Sequence, residues 1–232
     1  MSIFIMSDEY PQLCKAMQNS GHIVIPSDKI LCFNQPEQRH IDMQMLKIKN
    51  NIFLLKEARS LYKKLQVLDY NVILTEKTAT GKYPECVLLN ALFLDNKLYC
   101  KEVSLDANVK DFCKENNIEI VNVNQGYTAC STAVISEKAV ITADDSIYNT
   151  LTNNGIDVLK ISSGYIQLKG YNYGFIGGAC TQINENSVAF FGDITLHPDY
   201  KAIKKFCTIH NIKILSLEKG RTLTDAGGAI KL

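Results

Sequence analysis

One structural unit is complete in residues 126–161, GYTACSTAVISEKAVITADDSIYNTLTNNGIDVLKI. Apolar residues with strand-like composition predict a first strand over residues 127–135 and a second over 139–143. The polar residues around Glu137 separate the two strands and predict a short turn. This part of the unit is therefore predicted to form a β-hairpin.

The second half of the same unit predicts a helix and a third strand. Asp144 or Asp145 is suited to cap the helix, because a short carboxylate accepts hydrogen bonds from the free amides of a helix start. Gly155 ends the helix, since glycine best tolerates the left-handed conformation found there. Residues 156–161 then form the third strand. The complete unit has the order strand, strand, helix, strand.

The same order recurs along the chain. The predicted turns at Asn50, Asp95, Glu137 and Glu185 are separated by 45, 42 and 48 residues. Such a period indicates a repeat architecture, in which each unit buries its apolar face only against its neighbours. The predicted units cover residues 34–76, 83–123, 124–164 and 170–218.

The two ends of the chain supply a fifth unit. Residues 225–232 read as a lone first strand, and residues 2–6 as a lone second strand followed by a helix capped by Ser7. Joined, residues 225–232 and 1–33 complete the set, so we expect a closed α/β propeller of five ββαβ units. Residues 1–232 would then form one domain. The alternative is an ordinary three-layer α/β protein with accidental regularity.

Composition excludes several classes of protein. The chain has 232 residues, of which 46% are hydrophobic, and its 25 Lys and Arg nearly balance its 24 Asp and Glu. A net charge of +1 provides no strong field for nucleic acid or an anionic membrane. The apolar runs are too short to cross a bilayer, and the first residues lack the pattern of a signal peptide. We therefore expect a cytoplasmic protein with no nucleic-acid or membrane partner.

The sequence predicts no cofactor and no metal. None of the eight cysteines forms a CxxC pair, and buried, reduced thiols are the ordinary state of such residues. The four histidines are scattered without zinc-ligand spacing. One of them, His197, precedes Pro198 and Asp199; we interpret this segment as the cap region of a helix, although its amides could also bind an anion.

Three segments carry a resemblance to a known family. QGYTACS at 125–131, YGFIGGA at 173–179 and GDITLHPD at 192–199 resemble a bacterial branch of the pentein fold. That fold is shared by guanidino-group-modifying enzymes, among them deiminases, dimethylarginine hydrolases and amidinotransferases, and by a ribosome anti-association factor that is not an enzyme. The resemblance spans the chain and implies the fold more strongly than any activity.

The resemblance implies a His-x-Asp pair in the active site, and His40-Ile41-Asp42 matches that pattern. Alternation along a predicted first strand would place His40 and Asp42 on one face. The histidine would move protons and the carboxylate would hold a cationic substrate. The alternative is a polar strand start that faces solvent.

The nucleophile that the resemblance implies is missing from its usual place. Enzymes of this fold carry a cysteine in Gly-Gly-x-His-Cys near the C-terminus, whereas residues 227–231 here are Gly-Gly-Ala-Ile-Lys. Cys180, after Gly177 and Gly178, and Cys130 are the predicted substitutes, with Cys86 as a third candidate. The alternative for each is a packed strand cysteine.

Further residues are predicted to bind substrate: Asp225 through its carboxylate, Tyr127 at the mouth of the pocket, and Gly177 and Gly178 by close approach of the backbone. The alternatives are a cap or turn role for Asp225 and a core position for Tyr127. Two functions remain open at this point. One is a hydrolase or transferase acting on guanidine or amidine C–N bonds. The other is a non-catalytic module that binds a small molecule or a protein partner. The sequence does not predict the oligomeric state.

Overall fold

The computed structural model describes residues 1–232 and contains fifteen strands and six α-helices. The strands are β1 (Ile3–Met6), β2 (Ile23–Pro26), β3 (Met45–Ile48), β4 (Asn51–Leu54), β5 (Asn71–Leu74), β6 (Leu92–Leu94), β7 (Lys97–Cys100), β8 (Glu119–Asn122), β9 (Thr132–Ser136), β10 (Ala139–Thr142), β11 (Asp157–Lys160), β12 (Cys180–Asn184), β13 (Ser187–Phe190), β14 (Lys213–Ser216) and β15 (Ala229–Lys231). The helices are α1 (Pro11–Asn19), α2 (Ile41–Gln44), α3 (Arg59–Val67), α4 (Ala107–Glu115), α5 (Asp145–Asn153) and α6 (Tyr200–Ile209).

The strands form five three-stranded sheets of one design. Their orders are β15-β1-β2, β3-β4-β5, β6-β7-β8, β9-β10-β11 and β12-β13-β14. In every sheet the middle strand runs antiparallel to the first strand and parallel to the third. A helix makes the crossover to the third strand, as parallel pairing requires. The predicted five-bladed α/β propeller of ββαβ units is confirmed.

The two ends of the chain meet in one sheet. Strand β15 pairs antiparallel with β1, with Ile230 opposite Ile5 and Ala229 opposite Met6. The amide of Leu232 also donates to the carbonyl of Ile3, at 3.0 Å. The predicted joining of the terminal segments is therefore confirmed. Because β12 lies beside both β9 and β15, the first strands of neighbouring units gather around the middle of the ring.

Helix caps follow the sequence in two units and depart from it in two others. Asp144 accepts a hydrogen bond from the Ile147 amide at 2.9 Å, and Asp106 caps α4 in the same way. The predicted Ser7 cap is wrong, because α1 begins later, with Tyr10 at its N-cap position. At the start of α6, Asp199 does not cap the helix but accepts from the Ser162 amide at 2.6 Å.

The predicted first strands are too long at their N-terminal ends. Strands β9 and β12 begin at Thr132 and Cys180, five and six residues after the starts that the sequence predicts at residues 127 and 174. Turn and side-chain hydrogen bonds satisfy the preceding backbone instead; for example, the Thr128 hydroxyl donates to the carbonyl of Gln125. These irregular segments lie at the inner end of each unit, where they place side chains near the centre of the ring.

The apolar core lies between each sheet and its helix and continues between neighbouring units. All eight cysteines are free thiols, six of them buried, with Cys14 half-buried and Cys32 exposed. No helix combines the length and the apolar character needed to cross a lipid bilayer.

Candidate functional site

His40 and Asp42 reach the centre of the ring by a different local geometry from the predicted strand. His40 is the N-cap residue of the one-turn helix α2, and Asp42 lies in that turn. Strand β3 begins only at Met45, because the Asp42 amide donates to the carbonyl of Gly227, at 3.3 Å, instead of pairing in a ladder. Both side chains are nonetheless buried, with 3% and 8% of their residue surfaces exposed. The alternative of a solvent-facing pair is wrong.

Asp225 organises the backbone around this pair. Its Oδ2 accepts from the Phe175 amide at 2.8 Å, and its Oδ1 accepts from the Gly227 amide at 3.0 Å. The same Oδ1 lies 3.8 Å from Nδ1 of His40. The carboxylate thus joins the loop before β12 to the segment before β15 and lies beside the imidazole.

Two glycines make room for these contacts. A Cβ on Gly178 would lie 1.9 Å from Oδ1 of Asp225, and a Cβ on Gly177 would lie 2.2 Å from the carbonyl oxygen of Ala129. Real Cβ atoms do not approach other atoms so closely, so both positions require glycine. The role of Gly178 here is to admit the Asp225 carboxylate.

The Asp42 carboxylate is the unsatisfied group of the site. Neither of its buried oxygens has a hydrogen-bond partner. Burial raises its pKa from 3.8 to about 6; nearby His40 acts in the opposite direction, and Asp225 adds to the rise. The Cys130 thiol also lies close enough to lower this pKa, but the two groups do not meet hydrogen-bond geometry. A buried anion without partners is costly, and a cation beside this carboxylate would offset that cost.

A cavity of about 370 Å³ borders Asp42. Its wall includes Cys180, Gly177 and Gly228, and Lys47 lies on the side of β3. Burial and the neighbouring Lys231 lower the pKa of the Lys47 ammonium group. The cavity therefore combines one buried carboxylate with backbone surface and two lysines from the adjoining strands.

The thiols near this carboxylate are not activated. Asn90 Nδ2 donates to Sγ of Cys130 at 2.9 Å, and the thiol of Cys180 faces the carbonyl oxygen of Gly177 at 3.9 Å. Neither thiol forms a hydrogen bond with His40, whose Nε2 has no partner. Burial raises the pKa of both thiols well above the ordinary value, and Asp42 and Asp225 raise that of Cys130 further. Both are protonated at neutral pH.

The structure separates the predicted residues into three groups: those at the buried centre, those at the border of the cavity, and Tyr127 with Cys86 away from the cavity. His40, Asp42, Cys130 and Asp225 form the buried centre, and Cys180 and Gly177 border the cavity. Tyr127 does not border that cavity; it stacks between Tyr83 and Phe175, and its hydroxyl lies 3.5 Å from Sγ of Cys86.

Sequence reasoning missed Asn90. It is buried, its Nδ2 also donates to the Asp42 carbonyl at 3.0 Å, and its Oδ1 accepts from the Ala129 amide at 2.8 Å. One amide side chain therefore positions both the Asp42 and the Cys130 segments. A lone asparagine within the apolar run 87–94 was the available signal, because a buried amide needs partners.

Sequence reasoning also missed Glu37. This residue is buried, and its Oε1 accepts a hydrogen bond from the Tyr171 hydroxyl at 2.9 Å. The same hydroxyl accepts from Nδ2 of Asn34 at 3.0 Å. The charge of Glu37 contributes to the raised pKa of Asp42, so it belongs to the same electrostatic environment.

No group of three or more His, Cys, Asp or Glu side chains is arranged to hold a metal ion. The polar side chains at the centre come instead from separate units. His40 and Asp42 belong to the unit at residues 34–76, Asn90 to the unit at 83–123, Cys130 to the unit at 124–164 and Asp225 to the segment before β15. A site of this kind is positioned by the closure of the ring.

Solved structures with similar folds cover nearly the whole chain. DDAH from Pseudomonas aeruginosa, in complex with citrulline, is 9% identical, with a TM-score of 0.59, covering 100% of this chain and 99% of that one. The amidinotransferase SxtG of Microseira wollei is 9% identical, with a TM-score of 0.59 and coverages of 94% and 88%. The agmatine deiminase of C. jejuni is 11% identical, with a TM-score of 0.54 and coverages of 94% and 87%.

These similarities show the fold. The neighbours are pentein proteins, so the predicted resemblance to that fold is confirmed. No curated protein matches the sequence. A family model covers residues 4–230, and the chain belongs to that family of unknown function, DUF6873.

Proposed function

We propose that this protein binds a small guanidinium- or amidinium-type cation at the centre of the ring, without covalent catalysis by a cysteine. The observation that carries the proposal is the Asp42 carboxylate, buried and without a hydrogen-bond partner beside a cavity of about 370 Å³. A planar cation with several N–H donors satisfies both oxygens of such a group at once. Because those oxygens are closed to solvent, the ligand must displace the adjacent cavity wall.

The surroundings of the cavity favour binding over turnover. The expected nucleophile position is occupied by Lys231, and the position before it by Ile230. The candidate thiols of Cys130 and Cys180 are held in the protonated form by burial. A protonated thiol is a poor nucleophile, since it is the thiolate that attacks carbon.

The chemistry of similar folds points to the same class of ligand. Proteins with this fold include an agmatine deiminase, amidinotransferases and dimethylarginine dimethylaminohydrolases, which are named for agmatine, for amidino groups and for dimethylarginine. Fold similarity alone does not transfer an activity. The proposal of a cationic ligand therefore rests on the Asp42 carboxylate. The names of these proteins serve only to choose the first compounds to test.

The test is a calorimetric titration with agmatine, L-arginine and guanidinium, compared with the urea analogue of agmatine, which has a similar shape and the same ammonium group but a neutral urea group in place of the guanidinium. We expect a guanidinium compound to bind, the urea analogue to bind at least about tenfold more weakly, and Asp42→Asn to abolish binding. Asp111→Asn, a change at an exposed aspartate of α4, is the matched control. Equal binding to wild type and Asp42→Asn would refute the proposal.

The affinity for the cation should also depend on pH. The pKa of the Asp42 carboxyl group is about 6 without ligand, so the anionic receptor is lost as the pH falls through that value. We expect the dissociation constant to rise roughly tenfold for each pH unit below about 6 and to change little above about 7. A titration series in buffers of constant ionic strength measures this, and an affinity that is constant from pH 5 to pH 8 would contradict it.

A second candidate is a hydrolase or transferase that attacks a guanidine or amidine C–N bond through a cysteine. The observation that favours it is that Cys180 borders the same cavity as Asp42. This candidate requires that a bound ligand lower the pKa of the thiol. A haloacetamidine would then label Cys180, and ammonia or urea would be released from a guanidine substrate. Absence of labelling and of release at saturating ligand leaves binding as the function.

A further inference from the structure

A second cavity lies away from the Asp42 site and shares no wall residue with it. It has a volume of about 620 Å³, within the range of small-molecule sites. Its walls are the loop 164–172, the segment Asp193–His197 and residues 222–224, with Tyr10 at one side. This cavity, called here the outer groove, has no role in the proposed function.

His197 forms part of the wall of the outer groove and holds an unused donor. Its side chain is fully buried, and Nδ1 accepts a hydrogen bond from the Asp199 amide at 3.1 Å. Burial lowers the pKa of this imidazole, with Asp199 acting in the opposite direction. The neutral ring therefore carries its proton on Nε2, and this buried N–H has no hydrogen-bond partner. A buried donor without a partner is uncommon and calls for an explanation.

Several other polar side chains of the outer groove also lack a hydrogen-bond partner within the chain. Four such side chains lie on the groove walls. They are the side-chain amides of Gln167 and Asn172 and the hydroxyl groups of Thr222 and Thr224. Amide and hydroxyl groups both donate and accept, so they match ligand groups that do the same. Three tyrosines complete the lining: Tyr10, Tyr165 and Tyr171.

The charges of the outer groove argue against a cationic ligand. Its one carboxylate, Asp193, already accepts from the amides of Thr195 and Gly220 and from the Thr195 hydroxyl. The one lysine on its walls, Lys169, forms no salt bridge. A single exposed ammonium group attracts an anionic ligand only weakly. Aromatic faces among uncharged donors and acceptors favour a neutral ring with several hydroxyl groups.

We propose that the outer groove is a binding site for a neutral polyhydroxylated ring, such as a monosaccharide or the sugar part of a larger molecule. His197 Nε2–H donates to one ring or hydroxyl oxygen, and the amide and threonine side chains bind the remaining hydroxyls. Tyr165 packs edge-on against His197 with ring centroids 5.6 Å apart, and Tyr165 is half exposed. In this proposal the ligand reaches the donor by displacing the exposed side chain that packs against the imidazole.

The experiment is ligand-observed NMR and calorimetry of the full chain with D-glucose, D-galactose, D-mannose, D-ribose and N-acetyl-D-glucosamine. Glycerol serves as the polyol without a ring. We expect at least one sugar to bind with a dissociation constant in or below the millimolar range and glycerol not to bind. No binding by any of these sugars would overturn the proposal, and so would equal binding of glycerol.

Two pairs of variants locate the site. His197→Asn keeps an acceptor for the Asp199 amide and removes the Nε2 donor, and Thr222→Val removes an exposed hydroxyl. We expect about tenfold weaker sugar binding for the first and about threefold for the second. The matched controls, His210→Asn and Thr152→Val, change residues outside the groove and should leave binding unchanged. Thr222 is exposed, so its variant gives a result even if His197→Asn does not fold.

Asp42→Asn separates this proposal from the function proposed for the centre. Sugar binding should be the same in that variant as in wild type, whatever happens to guanidinium binding. Loss of sugar binding in Asp42→Asn, or its persistence in both His197→Asn and Thr222→Val, would overturn the assignment to the outer groove.

Discussion

The centre of the ring and the outer groove each contain a buried histidine whose Nε2 has no partner, His40 and His197. Their surroundings differ in whether the nearby carboxylates have partners. The centre contains Asp42, whose two buried oxygens accept no hydrogen bond. Near His197, both Asp199, at 3.9 Å from Nδ1, and Asp193 of the groove wall accept hydrogen bonds from backbone amides. In our proposals the same side chain therefore belongs to a receptor for a cation in one region and to a receptor for neutral polar groups in the other. The chemistry of each site is set by what surrounds the imidazole.

The two regions also differ in how tightly the backbone is packed. At the centre, a Cβ on Gly178 would overlap the Asp225 carboxylate, which two backbone amides hold in place. In the outer groove, a Cβ on Gly164 would meet no atom within 4 Å. The centre is tightly packed because five units converge there, and the groove is open because surface loops form it.

The largest expected effect is the destabilisation caused by Gly178→Ala. We expect the free energy of unfolding to fall by about 3 kcal/mol or more, because the overlap displaces a buried, hydrogen-bonded carboxylate. Gly164→Ala should cost only about 1 kcal/mol, which reflects its positive φ of +95°. Urea denaturation measures both. Equal losses would remove the distinction between a packed centre and an open groove.

The next effect is the pH dependence of stability that Asp42 contributes. Its pKa is raised in the folded state from 3.8 to about 6, so the folded protein binds a proton more tightly than the unfolded chain does. The resulting stabilisation is fully present below about pH 4 and is lost as the pH rises through about 6, a difference of about 3 kcal/mol.

Asp42→Asn should remove this dependence. Wild type should lose up to about 3 kcal/mol relative to the variant between about pH 4 and pH 7, in the absence of ligand. Denaturation curves of both proteins at a series of pH values provide the comparison. Parallel stability profiles would show that the carboxylate is not buried without partners, and the contrast with the outer groove would fail.

The smallest effect concerns two tyrosines of the outer groove. Tyr171 reaches from the groove to Glu37 with its hydroxyl, whereas the hydroxyl of Tyr165 has no hydrogen-bond partner. We expect Tyr171→Phe to cost about 1 kcal/mol and Tyr165→Phe less than about 0.5 kcal/mol. Thermal or chemical denaturation measures both. A larger loss for Tyr165→Phe would contradict the contacts that distinguish the two side chains.

Much of the fold could be predicted because its signals are local and repeated. The hairpin turn at Glu137 lies between β9 and β10 as expected, and the Asp144 cap forms within three residues of its own position. The first strands were predicted too long because contacts from other units replace their ladders. Asn90, for example, takes the Ala129 amide that a strand pairing would otherwise use. Such a bond joins residues 39 apart and leaves no periodic trace in the sequence.

The sequence predicted several of the residues that meet at the candidate site, but it did not predict their local geometry or the protonation state of the thiols. His40, Asp42, Cys130 and Asp225 do meet at one place, but His40 and Asp42 do so through a helical turn instead of strand alternation. The state of the thiols was not predictable. Their raised pKa values depend on burial and on carboxylates brought close by closure of the ring, which no single segment records.

Because β15 pairs with β1, the two ends of the chain lie next to each other in one sheet. The same ring could therefore form from a chain that begins at a different unit. Residues 3 and 232 are already hydrogen-bonded neighbours, so a short linker between the ends would turn the chain into a covalent circle. That circle can be reopened at an exposed hairpin turn such as the one at Glu137. In the permuted chain the old termini would lie within one β-hairpin, formed by the antiparallel strands β15 and β1, and the same residues would build the same centre.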